Sequence, residues 1–174
     1  MRLATVMGPQ QAGKTTLVAA LATLDSGKPG RLALCGEAAA TRFSYMGDDW
    51  GLIDIPGGAD GMALAGPALA ASDAVVICVP AEADAAVLAA PYLRLAEEAG
   101  LPTFLFVNRI DAATDRVADI VAALQIYCAH AMVLRQVPMR EDGPITGAVD
   151  LISERAWAYH YGSRSSLVEL PDSM

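Results

Sequence analysis

The sequence has 174 residues, of which 54% are hydrophobic and 18% charged, and its net charge is −8. This length suits about one domain, and the composition excludes a disordered chain. An acidic chain argues against nucleic-acid binding through bulk charge, so we predict no direct nucleic-acid site. Three scattered cysteines, no run of about 18 apolar residues and no signal peptide predict a soluble, cytoplasmic protein with free thiols and no membrane contact.

The first half of the chain alternates apolar runs with helical stretches. Residues 3–7 read as a buried strand, residues 14–24 as a helix, and residues 25–30 as a loop. Residues 31–40 show no clear period and are left unassigned. Two further runs, 43–46 and 50–55, flank Gly47, Asp48 and Asp49 and predict a β-hairpin.

The second half continues this alternation and then changes character. Residues 59–71 predict at best an irregular helix, because Gly66 and Pro67 interrupt them. The pattern next predicts strands over 74–79 and 103–107 and helices over 83–99 and 114–127. Apolar strands alternating with helices predict a mainly parallel sheet covered on both faces, a three-layer α/β fold. Short extended segments, 133–138, 145–151 and 155–161, predict a small β-rich appendage. We therefore divide the chain into a core of residues 1–132 and an appendage of residues 133–174.

The strongest motif is GPQQAGKT over residues 8–15, which fits G-x-x-x-x-G-K-[ST] between a strand and a helix. Such a P-loop curls its backbone N–H groups around phosphates at a helix N-terminus. Lys14 is predicted to reach the β- and γ-phosphates, and the Thr15 hydroxyl to bind Mg²⁺. The residues predicted to contact the nucleotide here are Gly8, Gln10, Gln11, Ala12, Gly13, Lys14, Thr15 and Thr16.

A second motif, DIPG over residues 54–57, ends an apolar strand. Asp54 at that position can hold Mg²⁺ through water, and the Gly57 N–H can face a γ-phosphate. We therefore predict Thr15 and Asp54 as the metal-binding residues, and Lys14 and Gly57 as the catalytic ones. Alone, an Asp before Pro-Gly would be an ordinary turn; behind a P-loop the metal interpretation is favoured.

A third motif, NRID over residues 108–111, follows another apolar strand and is similar to the guanine-reading pattern N-K-x-D. The Asp111 carboxylate can accept two hydrogen bonds from guanine, and adenine would leave it unpaired. Asn108 is predicted to brace the loop and the base. Arg109 stands where lysine is usual; it can still stack on the base, although the two residues are not interchangeable. The alternative is a helix-capping Asp in a polar loop.

In this order the three motifs resemble a P-loop GTPase of the translation-factor class. AGKTT at 12–16, DIPG at 54–57, FVNRID at 106–111 and GAVDLI at 147–152 together resemble the G domain of elongation factor G. The resemblance covers nearly the whole chain, least clearly residues 25–42. It implies a P-loop NTPase fold, in which the C-terminal segments correspond to a β-rich insertion. It also implies GTP and GDP binding with Mg²⁺, and GTP hydrolysis coupled to action on the ribosome.

Several positions depart from that family's pattern. Gln11 stands where the family carries Asp, and Pro9 where it carries His. Gly58 stands where the family has the histidine that positions the attacking water. Intrinsic hydrolysis is therefore expected to be very slow, because the reaction depends on an oriented water.

The two switch segments also differ from the family. In the family, the first switch is a segment that holds a threonine for Mg²⁺ and the γ-phosphate. No threonine can be assigned to that role here, because Thr41 reads as a strand start and Cys35 is the residue at the aligned place. Residues 61–69 are small and apolar where the family has charges. They predict either a covering partner or burial against this domain's own core.

The chain ends inside or just after the segment that corresponds to the insertion, and it contains no Ser-Ala dipeptide of the kind that contacts guanine in the family. It is therefore predicted to be a fragment or a truncated relative whose base pocket lacks one wall. Two alternatives to an active GTPase remain open. One is a nucleotide-binding regulatory module without hydrolysis, and the other is a P-loop ATPase.

Overall fold

The computed structural model describes residues 1–24, 28–111, 113, 115–140, 143–160 and 163–170. Residues 25–27 of the predicted loop, the predicted helix start at Thr114 and the chain end at 171–174 lie outside the described residues. Within those ranges, strands alternate with helices and then give way to strands alone. The elements in chain order are β1 (Arg2–Met7), α1 (Lys14–Ala22), β2 (Gly30–Ala33), β3 (Ala39–Tyr45), β4 (Asp48–Asp54), α2 (Ala59–Ala70), β5 (Ala74–Pro80), α3 (Ala83–Ala86), a 3₁₀ turn (Val87–Ala89), α4 (Ala90–Glu98), β6 (Thr103–Asn108), α5 (Val117–Gln125), β7 (Gln136–Arg140), β8 (Ile145–Asp150), β9 (Arg155–Ala158) and β10 (Ser166–Val168).

The main sheet has the strand order β2-β3-β4-β1-β5-β6. The pairs β4–β1, β1–β5 and β5–β6 are parallel, whereas β2–β3 and β3–β4 are antiparallel. The carboxyl ends of β1, β4, β5 and β6 consequently meet at one edge of the sheet. This is the edge at which ligands of open α/β sheets bind.

Helices cover both faces of this sheet, as predicted. On one face, Val18 of α1 packs against Ala4, Val6 and Leu52. On the other face, buried residues of β1, β4 and β5 contact those of α2, α4 and α5, including Met7, Ile53, Ile77, Leu69, Leu93 and Ile120. The edge strand β6 leaves Phe104 54% and Phe106 38% exposed. Among the described residues, no helix combines the length and apolar character needed to span a membrane.

The last four strands form a separate antiparallel sheet in the order β10-β9-β8-β7. This agrees with the predicted β-rich appendage, although β10 was not anticipated. The boundary at residues 132 and 133 stays a prediction. Among the described residues, the Arg140 guanidinium of β7 donates to the Ile110 carbonyl at 3.0 Å and joins this sheet to the core. Just before the sheet, the Met132 N–H donates to Gln125 Oε1 at 2.7 Å.

Some predicted elements were wrong in extent. The predicted helix over 83–99 is divided into α3, the 3₁₀ turn and α4, because Pro91 lacks an N–H and restricts the backbone before it. The hairpin turn lies at Met46 and Gly47 rather than at residues 47–49. Both residues have positive φ, 52° and 84°, as a two-residue primed turn requires.

Two further segments are more regular than predicted. The unassigned residues 31–40 contribute to β2 and β3. The segment 59–71 contains the 12-residue helix α2 despite Pro67. Ala65, Ala68 and Leu69 of α2 are buried in the main core, which favours burial against this domain over the covering partner.

Candidate functional site

The GPQQAGKT segment forms the connection from β1 to α1, and its glycines have conformations that side chains would disturb. Gly8 has φ of 144°, and a Cβ there would overlap the carbonyl oxygen of Cys78. Gly13, at the start of α1, has φ of 86°, and a Cβ there would overlap the side-chain amide of Asn108. Glycine at these positions therefore allows the loop to lie against the ends of both β5 and β6.

Lys14, the first residue of α1, is buried where the loop meets the helix, with a relative exposure of 7%. Its Nζ donates to the carbonyl oxygens of Gly8 at 3.1 Å and Pro9 at 2.7 Å. Burial lowers the pKa of the Lys14 ammonium, and the nearby Asp54 carboxylate opposes that shift. The loop thus holds a cation among its own carbonyl groups, within an otherwise acidic chain.

Thr15 and Asp54 form a close pair. The Thr15 hydroxyl donates to Asp54 Oδ2 at 2.6 Å, and Asp54 is buried at the end of β4. The pairing arises because β1 and β4 are adjacent and parallel, so the start of α1 comes beside the end of β4. One hydroxyl and one carboxylate fit Mg²⁺, which binds few protein oxygens when phosphates and water supply the rest. No cluster of three or more His, Cys, Asp or Glu suited to a metal occurs among the residues that the structure describes.

The turn after β4 lies directly against the phosphate loop. A Cβ at Gly57 would come within 2.7 Å of Gln10 Cα and 2.8 Å of the Pro9 carbonyl carbon, so the two backbones are in contact. Gly58 has φ of 85°, and its N–H donates to the Tyr92 hydroxyl of α4 at 3.0 Å. Tyr92 is only 4% exposed, so this turn is held by a buried side chain from a distant helix.

The NRID segment begins at the end of β6. Asn108 donates from Nδ2 to the Ala12 carbonyl at 2.9 Å and accepts the Arg109 N–H at Oδ1, also at 2.9 Å. Asn108 therefore joins this loop to the phosphate loop. Arg109, with φ of 60°, and Asp111 are both exposed at the surface.

Sequence reasoning missed two residues of this region. Cys78, near the end of β5, donates from Sγ to the same Ala12 carbonyl at 2.9 Å. The position of β5 beside β1 could have suggested this contact, because the carboxyl ends of neighbouring parallel strands coincide. Tyr92 could not have been found, because it lies 34 residues from Gly58 and belongs to no local motif.

Four other candidate residues take no part in these hydrogen bonds. Gln11 and Thr16 are exposed, and Gln11 adopts a positive φ of 60°. Thr41 is buried within β3, where it pairs with Arg31 and Leu52, whereas Cys35 is exposed between β2 and β3. The first-switch threonine thus stays without an assignment.

Comparisons with known proteins show the family and the fold of this chain. The family described as the elongation factor Tu GTP binding domain matches residues 34–156, a span that begins after the phosphate loop. An elongation factor G-like protein of Synechocystis sp. is 24% identical, over 98% of this chain and 28% of its own length. The chain therefore spans under a third of that relative.

Solved structures resemble this fold. A protein of Thermus thermophilus superposes with a TM-score of 0.77 and 22% identity, over 99% of this chain and 28% of that one. Translation elongation factor SelB of Methanococcus maripaludis, solved with the GTP analogue GppNHp, gives 0.55 and 20% identity, over 72% and 25% of the respective chains. The G domain of the T. maritima FeoB iron transporter gives 0.50 and 23%, over 65% and 75%. These likenesses confirm the predicted P-loop NTPase fold.

Proposed function

The chain belongs to the elongation factor Tu GTP-binding domain family, and we propose that it binds GTP and GDP with Mg²⁺ and hydrolyses GTP. One observation carries this proposal. The phosphate loop, the Thr15–Asp54 pair and the loop of Asn108 meet at the same edge of the main sheet. The family places the chain among the G domains of translational GTPases.

The phosphate loop is the proposed site of the nucleotide's phosphates. Backbone N–H groups over residues 10–16 face the anion at the start of α1. Lys14 is the cation that stabilises the phosphate charge, and it would exchange the carbonyls of Gly8 and Pro9 for phosphate oxygens. The Gly57 N–H lies on the turn that contacts Gln10, and we assign it to the γ-phosphate.

Thr15 and Asp54 are the proposed holders of Mg²⁺. The Thr15 hydroxyl, which donates to Asp54, can instead offer its oxygen to the metal. The Asp54 carboxylate lies within hydrogen-bond distance of that hydroxyl, so both groups can serve one Mg²⁺ ion. Bound Mg²⁺ neutralises charge on the β- and γ-phosphates.

The loop of residues 108–111 is the proposed reader of guanine. Asp111 is exposed and accepts the two donors of the guanine edge, whereas Asn108 holds the loop against the phosphate loop. Arg109, also exposed, stacks on the base through its planar cation.

The proposed biological setting is the ribosome, reached through a longer cytoplasmic factor in which this chain is the G domain. Residues 1–132 act as the GTPase core and residues 133–174 as the start of a β-rich insertion. Intrinsic hydrolysis is slow, because Gly58 stands where the family has its water-positioning histidine. The ribosome reads the nucleotide state from the switch segments.

Calorimetric titration with GDP, GTP and ATP in Mg²⁺ buffer tests the binding. We expect guanine nucleotides to bind and ATP to bind at least about 100-fold more weakly, since adenine leaves Asp111 unpaired. Asp111→Asn should remove most of this preference, by weakening GDP binding and leaving ATP binding as it was. An unchanged preference in Asp111→Asn would exclude that residue from the base site.

Lys14→Ala is the companion variant, because it should abolish binding of every nucleotide if the loop holds phosphates. ATP binding equal to that of GDP would favour the ATPase alternative. Phosphate release that stays at background when ribosomes are added would favour a binding module without hydrolysis. Such a module is compatible with Gly58, which has no side chain to position water.

A further inference from the structure

We propose that Gln10 is a catalytic residue whose side-chain amide orients the attacking water for GTP hydrolysis. The inference rests on the proposed function, since it concerns the same nucleotide site. Transfer of a phosphoryl group to water needs a side chain that holds the water in line with the γ-phosphate. Gly57 and Gly58, on the turn after β4, supply none.

The amide of Gln10 occupies the space that a side chain at position 58 would enter. A Cβ built on Gly58 would lie 3.1 Å from Gln10 Nε2, 3.7 Å from Cδ and 4.0 Å from Cγ. Gln10 Nε2 also donates to the Gly57 carbonyl at 3.5 Å, at the long end of the hydrogen-bond range. Gln10 thus reaches from the phosphate loop to the turn that faces the γ-phosphate.

The chemistry of the amide suits this position. With Nε2 directed to the Gly57 carbonyl, Oε1 is left to accept a hydrogen bond from water. Gln10 is exposed, so solvent reaches the amide, and the group is neutral, so it does not repel phosphate. The Tyr92 hydroxyl also lies beside this turn, but it already accepts the Gly58 N–H and is buried. Tyr92 holds the turn, and Gln10 faces the water.

The reaction that Gln10 assists is balanced in atoms and charge. The water oxygen forms a bond to the γ-phosphorus, and the bond from that phosphorus to the β–γ bridging oxygen breaks. GDP leaves with the electron pair of that bond, and both protons of the water stay with the inorganic phosphate as H₂PO₄⁻. Gln10 neither gains nor loses a proton in this sequence; it orients the water.

Gln10→Met in the 174-residue chain tests the role, because methionine has similar length and no hydrogen-bonding amide. We expect the single-turnover rate of phosphate release from GTP to fall about 10- to 100-fold, which corresponds to losing one hydrogen bond that orients the water. The affinities for GDP and for GppNHp should change by less than about threefold, since binding and chemistry are separable. Gln136→Leu, an exposed glutamine of β7, is the matched control and should leave the rate unchanged.

Gln10→Ala is the second variant and should match Gln10→Met, with thermal unfolding of each variant as the check on folding. An undiminished rate in either folded variant overturns the role of Gln10. A wild-type chain that binds GTP but releases phosphate no faster than buffer also overturns it, while nucleotide binding stands. A wild-type chain that does not bind GTP instead overturns the proposed function itself.

Discussion

Cys78 supports the phosphate loop through one buried hydrogen bond. Its side chain is fully buried, and its S–H donates to the Ala12 carbonyl that also accepts from Asn108. Burial raises the pKa of the Cys78 thiol to about 11, although Lys14 and Arg109 pull it in the opposite direction. The folded protein therefore holds Cys78 as the neutral thiol at physiological pH, and this is the form that can donate a hydrogen bond.

This raised pKa predicts a loss of stability in alkali. Below pH 9 the thiol is protonated in both states; between pH 9.0, its ordinary pKa, and about 11 the unfolded chain ionises first. The unfolded state then binds fewer protons, so the free energy of unfolding falls as pH rises through this window. The largest loss in the free energy of unfolding is roughly 1.4 kcal/mol for each unit by which folding raises the pKa of the thiol. Urea unfolding of wild type and Cys78→Ala at about pH 8 and about pH 11 measures the difference.

The stability of the wild type relative to Cys78→Ala should shrink between these two pH values. Cys35→Ala, at an exposed cysteine, is the control and should show no such dependence. A wild-type advantage that is equal at both pH values would contradict the assignment.

At the scale of elements, helix α2 depends on a glycine at its first turn. A Cβ at Gly61 would overlap the carbonyl oxygen of Pro56, which is backbone and cannot move independently. Gly66 on the same helix is exposed and has no atom near its Cβ position apart from its chain neighbours. The close approach at Gly61 keeps α2 against the turn that contains Gly57 and Gly58.

Gly61→Ala should therefore lower the free energy of unfolding by about 2 kcal/mol or more, as overpacking of a closed site does. Gly66→Ala should change it by less than about 1 kcal/mol, because the gain in helix propensity is opposed by the adjacent Pro67 ring. Denaturant unfolding of both variants gives the comparison. Equal effects at the two positions would show that the contact with Pro56 does not constrain the helix.

Elements and site were predictable where local chemistry decides them. The G-x-x-x-x-G-K-T spacing placed the phosphate loop between β1 and α1, because glycine conformation and strand order are encoded in neighbouring residues. The contact of Asn108 with the phosphate loop was not anticipated, since it joins residues 96 positions apart; the predicted role of Asn108 in bracing its own loop and the base stays a prediction. The Tyr92 hydrogen bond, the division of the helix at Pro91 and the regular helix around Pro67 were not predicted, since packing between distant elements decides them.

At the scale of the whole molecule, the second sheet is linked to the loop of residues 108–111, the proposed reader of guanine. Arg140 of β7 donates to the carbonyl of Ile110, which lies between Arg109 and Asp111, at 3.0 Å and to that of Gly143 at 2.9 Å. Ile110 in turn packs against the main core. The appendage therefore contacts the loop at its centre, on the chain segment that carries Asp111.

Arg140→Ala should weaken GDP binding about 3- to 10-fold, which corresponds to about 0.6 to 1.4 kcal/mol, the range of one ordinary hydrogen bond. The expected cause is a less ordered Asp111 and not an altered phosphate site, so binding of inorganic pyrophosphate should be unchanged. Arg155→Ala, at an exposed arginine of β9, is the matched control. Calorimetry with both ligands separates the cases. If GDP affinity stays the same in Arg140→Ala, the loop of residues 108–111 holds its shape without the second sheet. If pyrophosphate affinity also falls, the sheet acts on the whole proposed site.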